Sequence, residues 1–211
     1  MDVDTGYIYA MGGGKDFDKS PYNRATQAKL QAGSAFKPFI YAAALKKGYN
    51  IDAVLPDEPR SYPSGSGTWT PRNYDGKYSG TVSMRDAVAY SKNAATVSLL
   101  ENIGVGAVKA LLVDLGIGAD VPHNLSIAVG TSGLTLLDLV KGFSAFANGG
   151  FRVKPLFVLR IEDDRGQVLD SSEVQKQRAI PEDVAVKMNI LLRGPTEYGT
   201  AKGASRLGYP V

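Results

Sequence analysis

The chain has 211 residues, of which 44% are hydrophobic, enough apolar material for one domain with a substantial core. Its net charge is only +3, and lysine and arginine are scattered, so nothing indicates a nucleic-acid partner. The absence of cysteine excludes disulfides and thiol catalysis. No apolar run approaches the roughly 20 residues that span a bilayer, and residues 1–6 lack the basic and apolar regions of a signal peptide.

The N-terminal part of the chain predicts one helix among loops. The pattern over residues 2–11 predicts a strand or hairpin, and the polar residues 12–30 predict a turn and a loop. The glycines before Lys15 lack the spacing of a phosphate-binding loop, so we interpret them as a flexible turn. Residues 39–47 are rich in helix formers and predict a helix that ends at Gly48.

A segment rich in proline and glycine follows this helix. Residues 49–82 predict an irregular loop, because proline and glycine interrupt both helices and strands. A long loop that carries aromatic side chains, Trp69 among them, is typical of a binding surface. The alternative is that these aromatic side chains anchor the loop to the core.

Beyond this loop, five segments have apolar residues at helical spacing and one segment alternates like a strand. Ser83 and Thr135 are suited to cap two of the helices, and the Gly-Pro pair at 194–195 is expected to end the last one. The alternating segment flanks an Asp-Asp-Arg-Gly turn, which indicates a β-hairpin. We predict helices over 83–90, 94–103, 107–115, 136–148 and 181–192, and the hairpin over 151–170.

A serine and a lysine lie three residues apart at the start of the first predicted helix. Ser34 and Lys37 therefore share one helix face, and the amine can reach the hydroxyl. Pro38 is tolerated only near a helix start, so it places that start close to Ser34. Unpaired N–H groups there suit a developing oxyanion, and a lysine whose pKa is lowered by burial can take the serine proton. The alternative is a capping serine beside a solvated lysine.

A second polar turn, Ser91-Lys92-Asn93, separates two predicted helices. The Ser91 hydroxyl can relay a proton between a lysine and a leaving amine. The Asn93 amide can donate to a substrate carbonyl and hold Lys37. The alternative is that Ser91 and Asn93 simply cap the helix that begins at Ala94.

Together, the Ser-x-x-Lys and Ser-x-Asn motifs resemble the motif set of penicilloyl-serine transferases, a family that includes penicillin-binding proteins and β-lactamases. Several further stretches are similar to class A, high-molecular-weight penicillin-binding proteins. Lys92, where the β-lactamase form has Asp, suits this class. The stretches are Arg-Ala-Thr-Gln at 24–27, Gly-Ser-Ala-Phe-Lys-Pro-Phe at 33–39, Trp-Thr-Pro-Arg-Asn at 69–73, Gly-Thr-Ser at 130–132 and Phe-Ala-Asn-Gly-Gly at 146–150.

The resemblance implies a D,D-transpeptidase that acts on peptidoglycan stem peptides. Ser34 would attack the D-Ala-D-Ala bond with Lys37 as its base, and an amine of a neighbouring stem would resolve the acyl-enzyme. β-Lactam antibiotics would acylate the same serine. No cofactor or metal is expected, and we interpret His123 as structural. The resemblance also implies that Ser91 and Asn93 complete the catalytic set and that Trp69, Asn73 and Thr131 bind substrate.

The implied fold is α/β, with a helical subdomain packed against a mainly antiparallel sheet that is incomplete in this chain. The Lys-Thr-Gly motif of the family is absent, and it would follow a Leu-Gly-x-Pro-Val segment like residues 207–211. We therefore expect residues 1–211 to be one transpeptidase domain fragment, cut before the Lys-Thr-Gly strand. A C-terminal segment would complete the site, and a glycosyltransferase domain and membrane anchor would lie upstream, outside the cytoplasm.

Two other activities fit the same motifs. One is hydrolysis, as in a D,D-carboxypeptidase or a β-lactamase, although no Glu-x-x-x-Asn deacylation motif is evident. The other is a sensor or scaffold domain that binds penicillin without turnover.

Overall fold

The computed structural model describes residues 1–118 and 121–208. The end of the Leu-Gly-x-Pro-Val segment, residues 209–211, lies outside the described residues. Helices dominate the described part of the chain. They are α1 Lys37–Lys46, α2 Met84–Ala89, α3 Asn93–Ile103, α4 Val105–Asp114, α5 Leu136–Ala147 and α6 Glu182–Glu197, with 3-10 turns at Gly33–Phe36, Leu125–Val129 and Lys202–Leu207.

Short strands pair in five antiparallel ribbons of two strands each within the described residues. The ribbons are β1–β6, β2–β5, β3–β4, β7–β10 and β8–β9. This arrangement confirms the expected combination of helices with antiparallel strands. The strands are β1 Leu30–Gln31, β2 Val54–Asp57, β3 Tyr62–Ser64, β4 Gly67–Trp69, β5 Gly80–Ser83, β6 Gly133–Leu134, β7 Phe151–Val153, β8 Arg160–Glu162, β9 Val168–Ser171 and β10 Lys176–Arg178.

Helix α1 forms the centre of the core. All but its last residue are buried, and it packs against α3, α4 and α6. Phe39 contacts the rings of Phe36, Phe143 and Phe146. Gly142 allows α5 to approach this cluster, because a Cβ atom there would lie 2.4 Å from the Phe39 ring. A helix that is buried on every side needs small and apolar residues throughout, which explains its alanine-rich sequence.

The predicted helices form, but the predicted end of the last helix is wrong. Helix α6 continues past Gly194 and Pro195 to Glu197, so the Gly-Pro pair does not end it. The helix packs against α2, and a Cβ atom at Gly194 would lie only 3.1 Å from Ala89 Cβ. Tertiary packing therefore outweighs the intrinsic cost of a proline near the helix end.

Two predictions about extended structure are wrong. Residues 49–82 contain four short strands instead of an irregular loop. Pro56 and Pro63 are compatible with these strands because each strand of a two-stranded ribbon has an unpaired edge. Residues 2–11 do not form a strand, since only an isolated bridge joins Tyr7 to Leu156. The hairpin within 151–170 is confirmed as β8–β9, with Asp163 holding the turn.

Candidate active site

Ser34 lies in the 3-10 turn that leads directly into α1, and its side chain is exposed. The segment 130–134 runs beside this turn, where the Gly33 N–H donates to the Gly130 carbonyl at 3.1 Å. Both glycines have positive φ, and a Cβ atom at Gly130 would lie 1.9 Å from the Gly33 oxygen. The two glycines therefore allow a close backbone contact that fixes the entry to α1.

Lys37 is the first residue of α1 and is only 3% exposed. Its Nζ atom donates to three oxygens: Ser91 O at 2.7 Å, Ser91 Oγ at 2.9 Å and Asn93 Oδ1 at 2.6 Å. Burial lowers the pKa of Lys37 to about 8. About one-tenth of the amine is therefore uncharged at pH 7, and a proton acceptor must be uncharged.

Ser91 connects the lysine to the exposed serine. Its Oγ atom accepts from Lys37 Nζ and donates to Ser34 Oγ at 3.1 Å. The hydrogen-bonded path between Lys37 and Ser34 in this structure thus passes through the Ser91 hydroxyl, whereas the sequence predicts a direct contact between the amine and the Ser34 hydroxyl.

The backbone at Ser91 explains how its hydroxyl is held. Helix α2 ends in a Schellman turn, in which Ser91 N donates to Val88 O and Lys92 N donates to Ala87 O. Ser91 occupies the left-handed position of this turn with φ 53°, where glycine is usual. Among the described residues it is the one non-glycine with positive φ. Such strain is typical of functional sites, where a side chain is needed at a glycine position.

Asn93 is the first residue of α3 and faces Lys37. Its Oδ1 atom accepts from Lys37, and its Nδ2 atom donates to Arg72 O at 2.7 Å. These two contacts fix the orientation of the amide, because only its oxygen can accept from the amine. The structure thus brings Ser34, Lys37, Ser91 and Asn93 into one hydrogen-bonded group, as the two motifs predict.

Comparison with known proteins identifies the family of the chain that carries this hydrogen-bonded group. The sequence model of the family described as "Penicillin binding protein transpeptidase domain" matches residues 1–211. The chain belongs to this family.

Relatives and solved structures agree with the assignment of this transpeptidase domain. Penicillin-binding protein 1A of Neisseria lactamica is 38% identical over 99% of the chain, and that of Aquifex aeolicus is 37% identical over 98%. The chain spans only 27% and 29% of these two relatives.

Solved structures of penicillin-binding proteins have the same fold. The crystal structure of penicillin-binding protein 1A from Haemophilus influenzae superposes with a TM-score of 0.91 at 27% identity, over 98% of this chain and 37% of that one. Penicillin-binding protein A of M. tuberculosis, in an imipenem acyl-enzyme complex, superposes with a TM-score of 0.75 at 26% identity, over 83% of this chain and 45% of that one.

Three of the four grouped residues, Ser34, Ser91 and Asn93, line a cleft of the transpeptidase domain, whereas Lys37 is buried. The cleft encloses about 740 Å³. Ser34 and Ser91 line it together with Asp75 and the exposed rings of Tyr74 and Tyr90. A second cavity of about 640 Å³ lies between α5 and the β7–β10 ribbon, away from these residues.

The three residues predicted to bind substrate lie in different environments. Thr131 shares a hydrogen bond with Ser126 at 2.8 Å, beside the Gly130 contact with the serine turn. Trp69 is half-buried against the Tyr62 ring, with the two centroids 6.4 Å apart. Asn73 lines the cleft, yet it is only 4% exposed. A substrate contact for any of the three stays a prediction.

Sequence reasoning missed one buried residue behind this cleft. Asp57 is fully buried, accepts from Asn73 Nδ2 at 2.7 Å and lies 3.9 Å from Lys92 Nζ. Its position at the end of a strand missed by the sequence analysis gave no local signal.

Neither a metal site nor a membrane span is evident in the described part of the chain. His123 is exposed, and the acidic and histidine side chains do not form a group of three that could hold a metal ion. No single described helix is long and apolar enough to cross a membrane. Helices α3 and α4 pass that test only as a pair, which is bent by 87°.

Proposed function

We propose that this domain is a serine D,D-transpeptidase that cross-links peptidoglycan stem peptides through an acyl-enzyme on Ser34. The observation that carries the proposal is the hydrogen-bonded chain from Lys37 Nζ through Ser91 Oγ to Ser34 Oγ. The chain connects a buried amine with a lowered pKa to an exposed hydroxyl. These are the requirements for an activated serine nucleophile.

The proton moves in a balanced relay. With Lys37 uncharged, its two N–H groups donate to Ser91 O and Asn93 Oδ1, so its lone pair faces the Ser91 hydroxyl. In this protonation state both hydroxyls rotate, so that Ser34 donates to Ser91 Oγ and Ser91 donates to Lys37 Nζ. Ser34 then passes its proton to Ser91 Oγ as Ser91 passes its own to Lys37. The Ser34 oxygen forms a bond to the carbonyl carbon of the penultimate D-Ala of the stem peptide, and a tetrahedral oxyanion results.

The same groups serve the rest of the reaction. The leaving D-Ala amine takes the proton back from Lys37 through Ser91 as its C–N bond breaks. An amine of a second stem peptide then attacks the ester and passes its proton through Ser91 to Lys37. That proton returns through Ser91 to the Ser34 oxygen as the bond between this oxygen and the acyl carbon breaks. The positive dipole end of α1 favours the oxyanion.

β-Lactams are the natural chemical probe of this proposal. Several relatives carry the name penicillin-binding protein, and one solved neighbour is an imipenem acyl-enzyme. A β-lactam carbonyl would be attacked by Ser34 in the same way, with the ring nitrogen as the leaving group.

Cross-linking is proposed for the complete protein, because the chain spans 27% of a relative such as that of Neisseria lactamica. We propose that the complete protein also carries a Lys-Thr-Gly strand, an upstream glycosyltransferase domain and a membrane anchor, and that it acts outside the cytoplasm. Peptide mapping of the native protein by mass spectrometry tests the Lys-Thr-Gly segment directly. A native protein that ends at Val211 would contradict that part of the proposal.

Labelling with a fluorescent penicillin tests the chemistry. The complete protein should form a covalent adduct that survives denaturation, and Ser34→Ala should abolish it. Stem-peptide dimers formed from a disaccharide-pentapeptide substrate separate cross-linking from hydrolysis, which yields only shortened monomers. Slow adduct formation without either product would favour a sensor domain. Covalent label on Ser34→Ala would refute the proposed nucleophile.

A further inference from the structure

A buried Asp–Asn pair lies directly behind the Ser91-x-Asn93 turn. Asp57 is 0% exposed and Asn73 is 4% exposed. The Asn73 amide donates one hydrogen to Asp57 Oδ1 at 2.7 Å and the other to Lys77 O at 2.8 Å. Because both donors are used on one side, the amide oxygen of Asn73 must face the other way, toward α3.

The Asn73 oxygen caps α3 from a distance in sequence. It accepts from the Asn93 N–H at 2.8 Å and from the Ala94 N–H at 3.1 Å. The local N-cap residue, Lys92, makes no side-chain cap bond. The preceding carbonyl, Arg72 O, accepts from the Asn93 side chain. Residues 72 and 73 therefore hold both the backbone and the amide of the residue that contacts Lys37.

The middle residue of the turn balances the buried carboxylate. Lys92 Nζ lies 3.9 Å from Asp57 Oδ2 and 3.1 Å from Asp75 Oδ2. The Ser79 N–H also donates to Asp57 Oδ2 at 3.0 Å. A buried carboxylate needs a countercharge and hydrogen bonds, and this one has both. This arrangement gives a physical reason for a lysine between the serine and the asparagine.

We propose that Asp57 and Asn73 are positioning residues, which set the place of Asn93 and thereby hold the Lys37 amine in register with Ser91 and Ser34. The inference rests on the proposed function and gives Asn73 a different role from the predicted one. All four hydrogen-bonding positions of its amide are occupied within the protein, so none is free for a substrate.

The first test measures acylation of the complete protein by a fluorescent penicillin across pH 6 to 10. Asn73→Ala should lower the second-order acylation rate constant about 10- to 100-fold. The reason is that α3 loses the oxygen that caps its first residues, so Asn93 no longer holds Lys37 in a fixed position. The midpoint of the pH profile should also fall, since Lys37 stays buried but loses an oxygen that favours its charged form. The labelled fraction at long times should stay near that of the wild type.

Asn148→Ala is the matched control. Asn148 also makes three backbone contacts, to Val3, Phe151 O and Phe151 N, but it lies away from the turn. It should lower the melting temperature without changing the acylation rate constant or the pH midpoint. An Asn73→Ala protein that matches this control in rate and midpoint would overturn the proposal. If Asn73→Ala weakened the initial binding of penicillin and left the pH midpoint of acylation unchanged, the proposal would be overturned in favour of a direct contact between Asn73 and substrate.

An exchange of the two side chains provides a second test if Asn73→Ala does not fold. Asn73→Asp alone places two carboxylates at the 2.7 Å contact between residues 57 and 73. We expect it to be acylated more slowly than the wild type and than the double variant. The double variant Asp57→Asn with Asn73→Asp restores a donor and an acceptor there, and the new carboxylate still accepts from α3. It should acylate faster than the single variant, and an equal or slower rate would refute the pairing. Failure of the proposed function is distinct, because Ser34→Ala would then still be labelled.

Discussion

The lowered pKa of Lys37 makes a quantitative prediction about the reaction. In the proposed mechanism, acylation of Ser34 requires the uncharged Lys37 amine, whose pKa is about 8. About one-tenth of the molecules then have a neutral amine at pH 7, and about nine-tenths at pH 9. The acylation rate constant should therefore rise roughly tenfold between these pH values and then level off.

The same shift makes a prediction about stability, in which the sign matters. Between pH 8 and the unperturbed pKa of 10.5, the unfolded chain binds a proton at Lys37 that the folded chain does not. Stability must therefore rise with pH across this window. The side chain is only 3% exposed, so a full shift corresponds to about 3 kcal/mol.

The variant Lys37→Met separates the contribution of Lys37 to the pH dependence of stability from the contributions of all other titrating groups. Acylation should fall at least ~100-fold at all pH values, because the proton acceptor is gone. The stability of the wild type relative to the variant, measured by urea unfolding, should increase by about 3 kcal/mol from pH 8 to 10.5. Lys47→Met, at the other end of α1, is the control and should leave the acylation profile unchanged. A flat wild-type acylation profile from pH 7 to 9, or a stability difference that shrinks as pH rises, would refute the reasoning.

Two glycines and one serine with positive φ lead to further predictions. Gly130→Ala should lower both the melting temperature and penicillin labelling, because its Cβ atom would lie 1.9 Å from Gly33 O. Ser91→Gly should raise stability by about 1 kcal/mol in urea unfolding, since it relieves a positive φ, yet slow acylation ~100-fold or more. Gly142→Ala should cost about 1–3 kcal/mol by crowding Phe39, with acylation of the folded fraction unchanged.

The sequence predicted the helices well because their signals are local. Apolar spacing and a capping serine or threonine are visible within one or two turns, and Ser83 and Thr135 do cap α2 and α5. The errors arose where distant packing decides. Pro195 lies inside α6 because that helix packs against α2. Strand β2 pairs with β5 across the intervening β3–β4 hairpin, so the local sequence around β2 does not contain its partner.

The candidate site divides in the same way. The spacing of Ser34 and Lys37 predicts their common helix face, and the resemblance predicts that Ser91 and Asn93 join them. The passage of the hydrogen-bonded path through Ser91 could not be predicted, because it depends on a Schellman turn with serine at the glycine position. The buried role of Asn73 depends on Asp57, and no local pattern links these two residues.

The start of α1 favours two charge states that the proposed reaction needs at once, a negative oxygen at Ser34 and an uncharged amine at Lys37. Its positive dipole end favours a negative oxygen at Ser34 and disfavours a positive charge on Lys37. Burial acts on Lys37 in the same direction, because the first turn of α1 lies in the core. The oxygens of Ser91 and Asn93 that accept from Lys37 favour its charged form. Burial nevertheless lowers the pKa of Lys37 to about 8, within reach of a proton transfer in either direction. A lysine at this position can therefore accept the serine proton and return it to a leaving amine, whereas the same lysine in water would hold its proton at neutral pH.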